Sequence, residues 1–303
     1  MGKNLAKMGR AFYHSTTNLA NISHTPMRTP YIGITDFMDA DQVRAMLDVF
    51  LKNGGPDISR KLHVGVMTSR KILNGIETRW KNAMPAKEKV ASIFTASKHV
   101  FNVLHYADPE GVEVAENLER ATAYGYPHMH ALQLDMIWPP IDALRHYRTL
   151  FPTIQLIFQA NAAALAKVNN DPEAFVARLK PYEGIITYVL LDKSSGQGIG
   201  MNAAELLPFI RALASNFAYT GSAIAGGLGP DTMHLALPII RKFPHISIDA
   251  QGRLRPSGSA LDPIDWTMAR IYLERSLAMF HKYYAKPERP YASSDAHPNH
   301  YES

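Results

Sequence analysis

The chain of 303 residues contains no cysteine. Disulfides and cysteine-ligated zinc are therefore excluded, and nothing in its cysteine usage points to secretion. No apolar run approaches the roughly 20 residues that cross a bilayer, and Gly2 lacks the Ser or Thr that myristoylation favours four residues on, so no membrane partner is expected. Acidic residues are missing from Met1 to Thr35, where Lys3, Lys7, Arg10 and Arg28 are basic. This basic extension, residues 1–29, suits either a mitochondrial transit peptide or an arm packed on a second subunit. The expected location is cytoplasmic, with the mitochondrial matrix as the alternative, and a homo-oligomer is allowed. Net charge is +5 with a pI near 9.2. No long basic run interleaves with aromatics, which argues against a nucleic-acid partner and for an enzyme with anionic substrates.

The remaining sequence alternates short β-rich runs with longer helical patterns. Predicted strands are Tyr31–Thr35, Leu62–Met67, Val100–His105, Ala131–Leu134, Ile154–Phe158, Ile185–Leu191, Ser222–Ala225 and Ile246–Ile248. Between them, Asp39–Lys52, Pro109–Tyr124, Ile141–Leu150, Pro172–Leu179, Asn202–Ser215 and Asp231–Lys242 carry apolar residues at helical spacing. Asp39 and Asp171-Pro172 supply helix-start chemistry. Eight such units predict a (β/α)8 barrel over residues 30–284, followed by a polar, proline-bearing tail at 285–303. An open doubly wound sheet is the alternative, because periodicity does not show closure.

Two late segments are rich in glycine, Asp192-Lys193-Ser194-Ser195-Gly196-Gln197-Gly198-Ile199-Gly200 and Ala225-Gly226-Gly227-Leu228-Gly229-Pro230. Each follows an apolar strand. Glycine lets backbone amides approach an anion closely, so Gly198, Gly226, Gly227 and the Ala250-Gln251-Gly252 turn are expected to hold a phosphorylated small molecule. In a barrel the chemistry sits at the carboxyl ends of the strands. The strand-end candidates are Asp36, Arg70, His105, Asp108, Asp135, Gln159, Asn161, Asp192, Lys193 and Asp249. His128 and His130 share one face of an extended segment but have no third ligand nearby, so no metal site and no cofactor are expected.

At these residues the chain resembles the phosphoribosylanthranilate isomerase family. Gly33-Ile34-Thr35 with Asp39-Ala40, Thr68-Ser69-Arg70, Leu132-Gln133-Leu134, Leu190-Leu191-Asp192 with Ser195-Gly196-Gln197-Gly198, and Ala225-Gly226-Gly227-Leu228-x-Pro230 occur in the family's order. The resemblance implies a barrel with a phosphate site, Asp192 as general acid and Arg70 as the cation that orients substrate. It also implies a departure: the family's catalytic cysteine falls on Ile32, which transfers no proton.

The expected function is therefore an aldose–ketose isomerisation of a phosphoribosyl-type sugar. Asp192 would be the acid, with Asp36 or Asp135 as candidate bases. A lyase or epimerase step on the same barrel, or a barrel that binds a phosphorylated ligand or another chain without catalysis, stands as the alternative.

Overall fold

The computed structural model describes residues 28–80, 83–194, 200–259 and 261–283. Eight strands form a closed parallel barrel in sequence order: β1 (Tyr31–Thr35), β2 (Lys61–Ser69), β3 (Val100–Ala107), β4 (Ala131–Asp135), β5 (Gln155–Asn161), β6 (Tyr188–Asp192), β7 (Gly221–Ile224) and β8 (Ser247–Ala250). Closure is made by β8 against β1, with Gly33 opposite Asp249. The predicted (β/α)8 barrel is what forms, and the open sheet is excluded.

The outer layer contains α1 (Ala40–Lys52), α2 (Val114–Gly125), α3 (Ile141–Leu150), α4 (Pro172–Leu179), α5 (Ala203–Asn216) and α6 (Trp266–Tyr283), with shorter helical turns between them. α1 shows why these segments are helical. Asp39 accepts from the Gln42 amide while the Gln42 side chain accepts from the Asp39 amide, and Val43, Met46 and Phe50 form one buried stripe. No described helix is long and apolar enough to cross a membrane.

Most predicted strands shift by one to three residues, and three predicted segments differ for identifiable local reasons. β6 begins at Tyr188 rather than Ile185, because the amides of Ile185 and Ile186 close a turn onto the Tyr182 carbonyl. α2 begins at Val114 rather than Pro109, because the Asp108 carboxylate accepts the Gly111 amide and makes a turn there. Asp231–Lys242 is no continuous helix but a 3₁₀ turn, Met233–Ala236, running into Leu237–Ile240, where Pro238 has no amide to donate.

Alternation along each strand separates two buried layers. Ile32, Ile34, Leu62 and Val64 pack outward under the helices. Tyr31, Phe101, Val103, Ala131, Ile157, Tyr188, Leu190 and Ala223 fill the lower interior. Further up the same strands the inward positions turn polar, as in Ala131, Gln133 and Asp135 of β4 or Ile157, Gln159 and Asn161 of β5. The barrel thus has an aromatic floor and a polar mouth.

Candidate active site

The loops beyond the strand C-termini enclose a cavity of about 790 Å³. Its wall over β4–β6 is an amide-and-carboxylate chain. Gln133 Nε2 donates to Gln159 Oε1 at 3.0 Å, and Gln159 Nε2 donates to Asp192 Oδ2 at 3.0 Å. Asp192 Oδ1 accepts the Ser194 amide at 3.0 Å and its hydroxyl at 2.8 Å, which fixes the carboxylate at the end of β6. Beside it, Asp135 accepts from Asn161 Nδ2 at 3.0 Å. Burial pushes the Asp135 carboxyl up, the Asn161 hydrogen bond opposes this, and the negative charge of Asp192 adds to it.

The opposite wall joins β8 to β1. Thr35 Oγ1 donates to Asp249, lying 3.1 Å from each carboxylate oxygen. Burial pushes the Asp249 carboxyl up to about 7 against the Thr35 hydrogen bond, with Asp192 and Asp36 contributing repulsion. Under it lies His63, stacked on Tyr31 with ring centroids 4.8 Å apart. Its Nε2 is 3.3 Å from Nε2 of His105, and its Nδ1 is 3.8 Å from Asp249 Oδ1. Burial keeps both imidazoles neutral, lowering the His63 pKa well below the usual value and that of His105 to about 3. Asp36 has φ 88°, an uncommon backbone for a residue with a side chain. Its carboxylate forms a buried ion pair with Arg255 and accepts from Gln251 Nε2 at 3.1 Å. Burial raises the Asp36 pKa even so, against the pull of Arg255.

At the rim, Arg70 follows β2 and divides its charge between Asp108, with Nε 3.6 Å from Oδ1, and Glu110. Beyond β7 and β8, Gly226 and Gly227 adopt φ 110° and 64°, and neither amide donates to a backbone carbonyl among the described residues. Both line the cavity, as do Ala250, Gln251 and Gly252. The two loops clasp at Gly229, where a Cβ would lie 2.6 Å from the Arg253 carbonyl oxygen. Gly198 lies outside the described residues.

One cavity therefore brings together Asp36, Asp135, Asp192, Arg70 and the glycine turns that sequence patterns singled out. One expectation changes. Ile32 belongs to the outer layer beneath the helices, whereas Gly33 faces the interior, so residue 32 presents nothing to the cavity and a cysteine there would be equally remote. His128 and His130 belong to the β3–β4 junction: His130 Nδ1 accepts the Asn102 amide at 2.9 Å and the His128 carbonyl accepts from Asn102 Nδ2. The His63, His105 and Asp249 group escaped sequence reasoning as a set, although strand alternation places His63 on the inward face.

Asp135, Asp192 and Asp249 have no Lys or Arg partner among the described residues, while Asp36 and Asp108 do. The mouth thus combines, among the described residues, glycine amides without a backbone acceptor on one side with carboxylates that have hydrogen bonds but no Lys or Arg partner around it.

Closed topology with eight parallel strands in sequence order defines the chain as a (β/α)8 barrel whose polar groups gather at the strand C-termini. The sequence matches no family model and no curated protein. Its fold is similar to a phosphoribosyl anthranilate isomerase from Thermus thermophilus, at 14% identity and a TM-score of 0.52, over 82% of this chain and 99% of that one. An N-(5'-phosphoribosyl)anthranilate isomerase from Pyrococcus furiosus is similar over 82% of this chain and 98% of that one, at 15% identity and a TM-score of 0.50. Likeness at this level is likeness of fold.

Proposed function

We propose that the barrel is an aldose–ketose isomerase acting on a phosphorylated, phosphoribosyl-type sugar. The observation that carries this reading is the pairing, in one cavity, of glycine amides after β7 that donate to no backbone carbonyl among the described residues with the carboxylates that end β4 and β6. The amides of Gly226 and Gly227, with the Ala250-Gln251-Gly252 turn, hold the phosphate. Arg70 stands at the rim as the orienting cation.

Asp192, in its protonated form, donates a proton to the ring oxygen as the C1–oxygen bond opens to the iminium; a base removes the C2 proton to give the enolamine, which becomes the ketose as C1 gains a proton and the C2 hydroxyl loses one, and the two carboxyls then exchange protons with solvent to reset. Asp36 is held by Arg255 and Gln251, which favours Asp135 as the base. Its raised pKa makes it a stronger proton acceptor than an ordinary carboxylate. Similarity to the two named isomerases supports the choice of a phosphoribosyl group, and turnover of phosphoribosylanthranilate itself is expected to be poor because no thiol faces the mouth.

The test is an isomerisation assay on N-substituted ribosylamine 5-phosphates, phosphoribosylanthranilate included. Asp192→Asn should lower turnover on the best substrate by about 10²-fold or more, with the thermal midpoint unchanged. Full activity in that variant, or no isomerisation of any member of the series by the wild type, contradicts the reading.

A further inference from the structure

The Asp249 carboxylate is 5% exposed and lacks a cationic side chain among the described residues, whereas buried charges ordinarily are paired or bind a metal. Two neutral imidazoles lie beside it. One nitrogen of His63, one of His105 and one oxygen of Asp249 fall within 4.8 Å of one another. The Nε2 atoms of His63 and His105 share a hydrogen bond at 3.3 Å, and that separation is also close to the roughly 3.4 Å expected of two ligands on one tetrahedral ion with bonds near 2.1 Å, so an ion held through both Nε2 atoms would replace this hydrogen bond. The other His63 nitrogen, Nδ1, is buried without a hydrogen-bond partner 3.8 Å from Asp249 Oδ1, so no ring hydrogen bond ties that carboxylate down.

Space at this point is made by two glycines. A Cβ on Gly33 would lie 2.5 Å from Asp249 Oδ1 and 2.8 Å from His63 Nδ1. A Cβ on Gly65 would lie 3.0 Å from His105 Nε2. The inward positions of β1 and β2 are thus clear where the donor atoms converge.

We infer that His63, His105 and Asp249 form a binding site for a first-row divalent transition metal ion, facing the barrel mouth. Two imidazoles and one carboxylate favour Zn²⁺, Fe²⁺, Co²⁺ or Mn²⁺ over Mg²⁺ or Ca²⁺, which prefer all-oxygen surroundings. Three protein ligands leave coordination positions open. His105 and Asp249 line the cavity and His63 lies behind them, so the open side points to where a ligand's hydroxyl or carbonyl oxygens would sit. The isomerase reading neither requires this ion nor depends on it.

The test uses the full untagged chain, stripped with a chelator and titrated with Co²⁺ alone, followed by visible absorption and then by displacement with Zn²⁺. One equivalent should bind per chain, and His105→Gln and Asp249→Asn should each weaken binding by about 100-fold or more while circular dichroism stays native. X-ray absorption of the Zn²⁺-loaded wild type should count two imidazoles, which keeps the test decisive if a variant does not fold. Stoichiometry well below one, an absorption spectrum without imidazole ligation, or affinity unchanged in folded His105→Gln overturns the site. Because no sugar is present, failure here leaves the isomerase reading standing, and failure of isomerisation leaves this site standing.

Discussion

At the lower end of the strands the inward side chains include Tyr31, Phe101 and Tyr188, whose ring centroids lie 5.6 to 5.7 Å apart. A few residues further along the same three strands they are Thr35, His105 and Asp192. The floor gains from contact and area and carries almost no charge. The mouth holds carboxylates that burial and mutual repulsion push toward protonation. Floor packing can hold such a mouth in place, because a barrel whose lower layers are well filled tolerates costly groups in its upper ones. The contrast says where stability and where activity should be lost.

The largest expected effect is at the floor. Phe101 is 3% exposed and touches Tyr31, His63 and Tyr188, so Phe101→Ala should cost about 3–5 kcal/mol, read from chemical denaturation. A loss below about 1 kcal/mol would mean that the aromatic layer does not carry the barrel.

Arg60 closes the same end, donating to the Ile246 carbonyl at 2.8 Å with its guanidinium 3.4 Å from the Phe280 ring centre. Arg60→Ala should cost about 2 kcal/mol and leave ligand affinity at the mouth unchanged. Equal loss of stability and of affinity would show that the two ends are coupled, and would erase the comparison.

The smallest effect on stability, with the opposite consequence for activity, is expected at Asp135. Its folded pKa is raised by burial, so ionisation costs stability: the cost is full above the folded pKa, shrinks as pH falls below it and is gone below the unfolded pKa. Asparagine imitates the protonated carboxyl and still accepts from Asn161. Asp135→Asn should therefore melt at or above the wild-type temperature at pH 7 while turnover falls by about 10²-fold or more. A clear drop in melting temperature would assign Asp135 to structure.

The floor and the mouth were unequally legible in the sequence. Eight short β-rich runs such as Tyr31–Thr35 and Val100–His105, separated by helical patterns with readable starts, indicate a barrel without showing its closure, and strand ends then name Asp36, Asp135 and Asp192. The pleat of a strand puts Ile32 on the face opposite Gly33, a distinction that motif matching along the chain passes over. What stayed hidden depends on closure. Asp36 meets Arg255 and Asp249 meets His63 only because β8 pairs with β1, across some two hundred positions of chain that carry no local signal of the contact. Asp249 stands in the sequence as one strand-end candidate among ten, and its burial among Thr35, His63 and other carboxylates is what makes it chemically distinctive.

The mouth's function rests first on whether it holds a phosphorylated sugar. Titration of ribose 5-phosphate against the wild type and Gly227→Asp, followed by calorimetry, tests this most directly. Gly227 has φ 64° and borders the proposed phosphate, so an aspartate there opposes the anion by charge and the turn by strain. The account predicts saturable binding to the wild type and affinity weaker by about tenfold or more in the folded variant. Equal affinities in two folded proteins, or no binding by the wild type, would contradict it.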